Sequence, residues 1–505
     1  MSASNELEEE IRAQVDEWST NSNDCFSIAL VHPSTQKPLH ESFQPEFTYP
    51  IFGEEEAIFG YQDLSIDLTF AAHDLRPHVE VKHGEKFKAL GEIKPTDIQE
   101  ALSDFLPKEA FETRSSDESA ASFKPPGEKV HSYTRDGEKF EVWCASLADD
   151  KARSILENMQ ILVPMFIEGG STLVLEQDWT TQRWKLFLLY RLSSSAATGT
   201  PYELVGYGTS YRVFTLPDRA KPLPSELDKF SDDLMTFLER PEQPSSLAQT
   251  PLELPSRERL SQFLILPPHQ GSGHGQELYS AMYTTLTTPP NIREFTVEDP
   301  NEAFDDLRDL CDLLHLRRNH PTFSSLRINT EIPVEKLKSD QNIPTDLIVD
   351  GAAREQIMAE TKIMQRQFDR LVEMHTLSFI PPLHRSRNRI TRKEKSTNAQ
   401  DKAYYFWRLY AKQRLYIFNR DQLLQVDREE RVERLEAALD GVVEGYVKML
   451  EKVEAHEKEG EKQVNGGAAP PKARKRKVVG EEDEDEDEEV VPVANRSGSK
   501  KARVS

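Results

Sequence analysis

Apolar residues recur three and four apart at Ile155, Leu156, Met159, Leu162, Val163 and Phe166, with Gly169 and Gly170 close behind. The spacing predicts one helix ending at Glu168. Upstream, strand-like runs at Phe26–Val31 and Leu64–Phe70 and a helical piece over Ile98–Leu106 make residues 1–150 read as a small α+β domain. Downstream, Lys185–Leu192 and Leu204–Phe214 flank a turn rich in Ser, Ala, Gly and Thr, which predicts an antiparallel hairpin. Residues 217–256 are dominated by Pro, Ser and charge and read as an inserted surface loop.

The pattern then compresses. Gln262–Leu266 reads as a buried strand, a glycine-rich segment follows, and Leu278, Ala281, Met282 and Leu286 mark an amphipathic helix stopped by Pro289 and Pro290. Phe295–Val297 is a short strand, and a helix begins within Asp299-Pro300-Asn301-Glu302, its inner face carrying Phe304, Leu307, Cys311 and Leu314. Beyond about Thr322 the pattern is helical, and Val432, Leu435, Leu439, Val442, Tyr446 and Met449 repeat like a heptad seam. The expected domains are therefore 1–150, a core at 151–321, a helical domain at 322–459 and a disordered charged tail at 460–505.

Composition narrows the function classes. The mean hydropathy of −0.63 suits folded domains joined to polar segments. No apolar run approaches the roughly 20 residues of a membrane span, so no membrane association is expected. Cys25, Cys144 and Cys311 are too few and too scattered for a disulfide framework or a zinc site; buried structural thiols in a reducing compartment are expected, with no metal. The formal net charge of −24 argues against direct nucleic-acid binding and suits a basic protein or peptide.

Two features carry chemistry. Gln270-Gly271-Ser272-Gly273-His274-Gly275 lies between a strand and a helix, where backbone N–H groups and the helix N-terminus attract anions. It lacks the Gly-Lys-Ser/Thr ending of a Walker loop, and Gln276 stands where a dinucleotide fingerprint needs glycine. Its Gln-x-x-Gly-x-Gly form is similar to the pyrophosphate loop of the GCN5-related N-acetyltransferases; a plain glycine-rich turn is the alternative. The second feature is a set of carboxylates. A free lysine is neutral about once in 2,500 at pH 7, a handicap of roughly 4.6 kcal/mol that a general base must offset for acetyl transfer. Glu298, directly after a strand, is the first candidate; Asp299 is either an assistant or a helix cap; Glu168, read as a helix C-terminus, is a second candidate whose pKa the helix dipole would raise.

Phe263–Gly275, followed by Thr296–Asp309, closely resembles the catalytic subunit of type B histone acetyltransferase, supported in order by Phe52–Tyr61, Phe166–Ser171 and Val205–Tyr211. The resemblance spans roughly residues 20–330, and the 217–256 insert and extra residues between Ser171 and Trp184 depart from it. It implies an α+β fold: a GCN5-related N-acetyltransferase core with an N-terminal α+β domain and a helical C-terminal domain. It implies acetyl-CoA held by Phe263, Leu264, Ile265, Gln270, Gly271, Ser272, Gly273, His274, Gly275, Gln276 and Asn301. Glu298 would be the base, with Glu168 and Asp299 assisting. The substrate would be the tail of newly made histone four, in a groove lined by Glu54, Glu55, Glu56, Trp184, Tyr211, Arg212 and Val213. It further implies a WD-repeat histone-binding subunit as partner and residence in cytoplasm and nucleus. Lys472–Lys477 reads as a nuclear-localisation signal and Glu481–Glu489 as a histone-contacting tract, or both as plain solvating tail. The rival functions are a histone-binding escort with little catalysis and an acetyltransferase for another amine.

Overall fold

The computed structural model describes residues 17–89, 91, 93–113, 118–175, 178–193, 199–215, 251–253, 255–337, 342–390 and 398–465. Most of the 217–256 insert and the tail beyond 465 lie outside them.

The N-terminal part builds two small sheets from β1 (Ser19–Asn21), β2 (Phe26–Val31), β3 (Ala57–Phe59), β4 (Ser65–Ala71) and β5 (Pro77–Lys82). β1 pairs with β3, and β2, β4 and β5 form a three-stranded sheet in which β2 and β4 are parallel. β2 coincides with the predicted strand, and α1 covers Ile98–Ser103.

The main sheet has six strands: β6 (Glu128–Arg135), β7 (Glu138–Ser146), β8 (Trp184–Leu192), β9 (Tyr202–Phe214), β10 (Ser256–Ile265) and β11 (Ile292–Val297), in that order across the sheet. All pairs are antiparallel except β10 with β11. β8 and β9 form the expected hairpin pairing, whereas β6 and β7, assigned from sequence to the domain ending at 150, belong to this central sheet. The boundary moves because β7 pairs with β8 and carries β6 with it on its other edge, a pairing that local pattern does not encode.

Both faces of the sheet are covered, which is why Lys185–Leu192 reads as an almost unbroken apolar run. Leu186, Leu188 and Tyr190 pack on one side against β2, β4 and the helix α2 (Asp150–Met159). Phe187 and Leu189 pack on the other, beneath α4 (His274–Thr287) and α5 (Glu302–Asn319). The predicted helix ending at Glu168 is two helices, α2 and α3 (Leu162–Phe166). Pro164 has no N–H to give Gln160 O, so a single helix cannot run through; Val163 N bonds Gln160 O instead, at 3.1 Å.

The C-terminal helices α6 (Gly351–Thr361), α7 (Gln365–Ser378), α8 (Ala399–Phe418) and α9 (Arg428–Asn465) share one apolar core with α4, α5 and the sheet. The heptad reading holds on its inward side, where Leu439, Tyr446 and Met449 are buried, and fails at Val432, which is exposed. Residues up to Glu454 form one compact unit; the second, Ala455–Ser505, is described only as the last turns of α9.

Candidate functional site

β10 positions the central carboxylate. Its register with β9 slips between Leu260 and Phe263, where Ser261 and Gln262 face a single partner residue, Thr209. This bulge changes the direction of the amides. Leu260 O accepts from Glu298 N on the β11 side, yet Gln262 N and Leu266 N donate towards β9, to Thr209 Oγ1 and Val205 O. By alternation the amide groups of Phe263 and Ile265 point to the β11 side. β11, however, pairs no further than Leu260↔Val297. The chain then turns away through Asp299, at φ +33°, into α5. A gap opens between the two parallel strands, floored by strand amides with no ladder partner there.

Glu298 stands at the head of this gap, its side chain 39% exposed. Ser261 Oγ donates to its Oε2 at 2.7 Å, and Arg259 Nη2 pairs with Oε1 at 2.8 Å. Asp299 does not cap α5: Asn301 is the N-cap, its side chain accepting from Phe304 N at 2.9 Å. Asn301, expected at the cofactor, therefore spends its side-chain oxygen on the helix.

The glycine loop closes the far end. Gln270 Nε2 donates to Ile265 O at 2.9 Å, folding the loop back on the strand. Gly271 and Gly273 take φ of +70° and +77°, which favours glycine at both, and a Cβ on Gly273 would also push aside Arg135 Nη1, 2.5 Å away. Arg135 bonds Ser272 O at 2.5 Å and Glu277 Oε1 at 3.2 Å, holding the loop over the first turn of α4. Gly275 and Gln276 belong to that turn, whose orphan N–H groups and positive dipole end suit a phosphate. His274 is an exception among the expected cofactor residues: its ring is turned inward, bonded to Tyr133 OH at 2.7 Å and packed on Phe140. Burial, with Arg135 adding to it, pushes its pKa down to about 4, so the imidazole is neutral and only the backbone of His274 can serve an anion.

Around the gap lie three further groups. Trp184, Tyr211 and Arg259 are register partners on β8, β9 and β10 and form one row leading towards Glu298; the Trp184 and Tyr211 rings are 4.8 Å apart. Val213 shares that face, being two residues along from Tyr211. Arg212 does not. It points to the opposite face and is locked on the buried Glu258 at 2.7 Å, with a second bond to Leu252 O.

Glu168 lies in an exposed turn beyond α3, outside the helix that was to act on it. That turn is tied in twice: Gly169 N bonds Tyr49 OH at 3.2 Å, and Gln262 Nε2 in the bulge bonds Ser171 O at 2.9 Å. The acidic trio splits. Glu54 and Glu55 are exposed, while Glu56 accepts from Thr48 N at 2.7 Å, Tyr49 N at 3.1 Å and Asn23 Nδ2 at 2.8 Å. The Thr48 amide, foremost among these donors, holds its carboxyl below the ordinary range. Hydrogen bonds thus link Glu56 to Tyr49, Tyr49 to the Glu168 turn, and that turn to the bulge beside Glu298.

The thiols stay out of this chemistry: burial pushes Cys25 up to about 12, Cys144 up to about 11 and Cys311 further.

Comparison with known proteins decides the family. Residues 18–168 match the family model described as "Histone acetyl transferase HAT1 N-terminus", and residues 333–378 match "Fungal HAT1, C-terminal". The chain is 39% identical over 459 residues to the histone acetyltransferase type B catalytic subunit of Aspergillus oryzae, covering 87% of each. It is 40% identical over 450 residues to the Pyricularia oryzae protein of the same name, covering 87% of this chain and 92% of that one. The chain belongs to the histone acetyltransferase type B catalytic subunit family. A more distant member, from Schizosaccharomyces pombe, is 30% identical over 447 residues. As a member the chain is an acetyltransferase enzyme, and acetyl-CoA is the co-substrate of that class.

Within this family frame, Arg259, Ser261 and Arg135 are site residues that sequence reasoning missed. Each acts only through register or a distant contact; Arg135 lies in β6, far along the chain from the loop it holds.

Proposed function

We propose that the chain acetylates lysine side chains in the N-terminal tail of newly made histone four by direct attack in a ternary complex, on a GCN5-related N-acetyltransferase core. The carrying observation is Glu298, fixed by Ser261 and Arg259 at the point where β10 and β11 part. Acetyl-CoA would lie along the gap, its amide-bearing arm on the backbone amide of Phe263 and the N–H of Ile265, whose carbonyl is taken by Gln270, and its pyrophosphate on the N–H groups of Gly271–Gln276. A thioester is already activated, so no covalent enzyme intermediate is needed. Glu298 takes the proton from the attacking lysine amine, and the exposed carboxylates of Asp299 and Glu168 assist its passage to solvent. Trp184, Tyr211 and Val213 would bracket the lysine's aliphatic stem, and Glu54 and Glu55 would attract the basic tail.

The WD-repeat partner and residence in cytoplasm and nucleus are part of the same proposal and rest on family resemblance. Glu298→Gln is expected to lower kcat on a histone-four tail peptide by about 10²–10⁴ while acetyl-CoA affinity stays within a factor of about two. Full activity of that variant would remove Glu298 as base.

A further inference from the structure

Apart from the gap, the described residues hold one group of histidine and acid side chains set for a different ligand. Glu203, near the start of β9, is fully buried. Its Oε2 receives Arg191 Nη2 at 2.5 Å, which leaves Oε1 facing two imidazoles. His40 Nε2 bonds Oε1 directly. His269 Nε2 lies 3.2 Å from the same oxygen, close enough for a charged contact but out of line, so this buried nitrogen has no well-aligned hydrogen bond. All three ligand atoms fall within 4.8 Å of one another, and the two rings meet edge to face at 4.9 Å.

We propose that His40, Glu203 and His269 bind a divalent transition cation of the Zn²⁺ class. Two neutral imidazoles and one carboxylate are the donor set that borderline cations take, with an open fourth position for water. An orphaned buried ring nitrogen costs free energy in the metal-free protein, and a cation that accepts its lone pair removes that cost. Bonds of about 2.0–2.2 Å set neighbouring donors roughly 3.3–3.6 Å apart, so His269 Nε2 already lies near the required distance from Oε1 and His40 would step back from it by side-chain rotation. Arg191 keeps the carboxylate oriented, and Glu138, 3.6 Å from Arg191 Nε, offsets part of the added positive charge.

The three residues arrive from separate, fixed pieces of backbone. Leu39 N bonds Leu30 O beside β2, which sets His40, and His269 closes the tight turn Pro267–His269 with its N on Leu266 O. A cation would therefore pin the N-terminal part and β9 to the turn immediately before Gln270. The inference does not depend on the acetyl-transfer proposal, because its readout is metal uptake.

The test uses the untagged full-length chain stripped with chelator. Titration with ZnCl₂ is expected to show one equivalent bound and a raised thermal midpoint. Co²⁺ substitution is expected to give the visible absorption of a four-coordinate site. His40→Gln, at the accessible rim, should retain the fold by circular dichroism and weaken Zn²⁺ binding at least about tenfold. Absence of a one-to-one event, equal binding of Mg²⁺, or uptake unchanged in His40→Gln would each overturn the proposal; His269→Gln provides the same reading if His40→Gln does not fold.

Discussion

His274 illustrates how a residue inside a recognisable motif can serve the fold rather than the ligand. Its ring packs against Tyr133 and Phe140, which stack on each other, and burial keeps it neutral with a pKa of about 4, against an ordinary value of 6.5. His375, on α7, is buried in the same way and pushed down to about 3. Between pH 6.5 and about 4 the unfolded chain takes up protons that the folded chain refuses, so stability falls as pH is lowered through that window. His274→Gln keeps a neutral polar side chain and removes one of these groups. Its urea midpoint is expected to vary less between pH 6.5 and 4 than that of the parent chain. An unchanged pH slope would mean that His274 is protonated in the folded protein.

The bulge at Ser261 and Gln262 and the glycines opposite it in β9 act together as elements. A Cβ on Gly206 would lie 2.6 Å from Leu264 O and from Ile265 Cδ1; on Gly208 it would meet Met282 Sδ at 2.6 Å. These glycines let β9 close on the second half of β10 while α4 presses from above. Because Leu264 O is backbone, Gly206→Ala must displace β10 itself. The expected cost is about 1–3 kcal/mol in denaturant unfolding, with weaker acetyl-CoA binding by calorimetry; unaltered binding would show that the displacement stops short of Phe263–Ile265. What the chain disclosed beforehand follows the same division. Phe26–Val31 was legible to the residue, and so was the existence of a glycine turn at Gln270–Gly273, since positive φ at Gly271 and Gly273 is a local demand, whereas His274 and Gly275 proved to be the first residues of the helix. The first half of β10 was not. Ser256–Ser261 is polar because Glu258 points inward and is satisfied by Arg212 and Lys185, partners from neighbouring strands. The position of Glu298 after a strand could be read, but the grip of Ser261 and Arg259 depends on a register slip that no spacing announces.

At the scale of the whole molecule, the helical region is structurally continuous with the six-stranded sheet. Trp407, Phe368 and Tyr446 share a core with Phe295, Leu278 and Leu313. The buried Glu373 receives Arg414 at 2.7 Å and Tyr446 OH at 2.8 Å, tying α7, α8 and α9 together. A fragment ending at residue 321, the expected domain boundary, is therefore predicted to lack a cooperative thermal transition and to aggregate on expression; a soluble, cooperative fragment that binds acetyl-CoA would refute that continuity. The join also settles how the sheet meets other molecules. Its outermost strand β11 gives Phe295 N to Lys362 O at 2.6 Å, and Phe295 pairs in a parallel bridge with Ile363. On the opposite margin β6 carries a register slip between Lys129 and His131 and ends in Arg135. One margin is blocked at its middle by a bridge from the chain's own backbone and the other is kinked and charged, so both are poor templates on which a second polypeptide could lengthen the sheet. An extended peptide is thereby steered away from docking as an added strand at the sheet's rim.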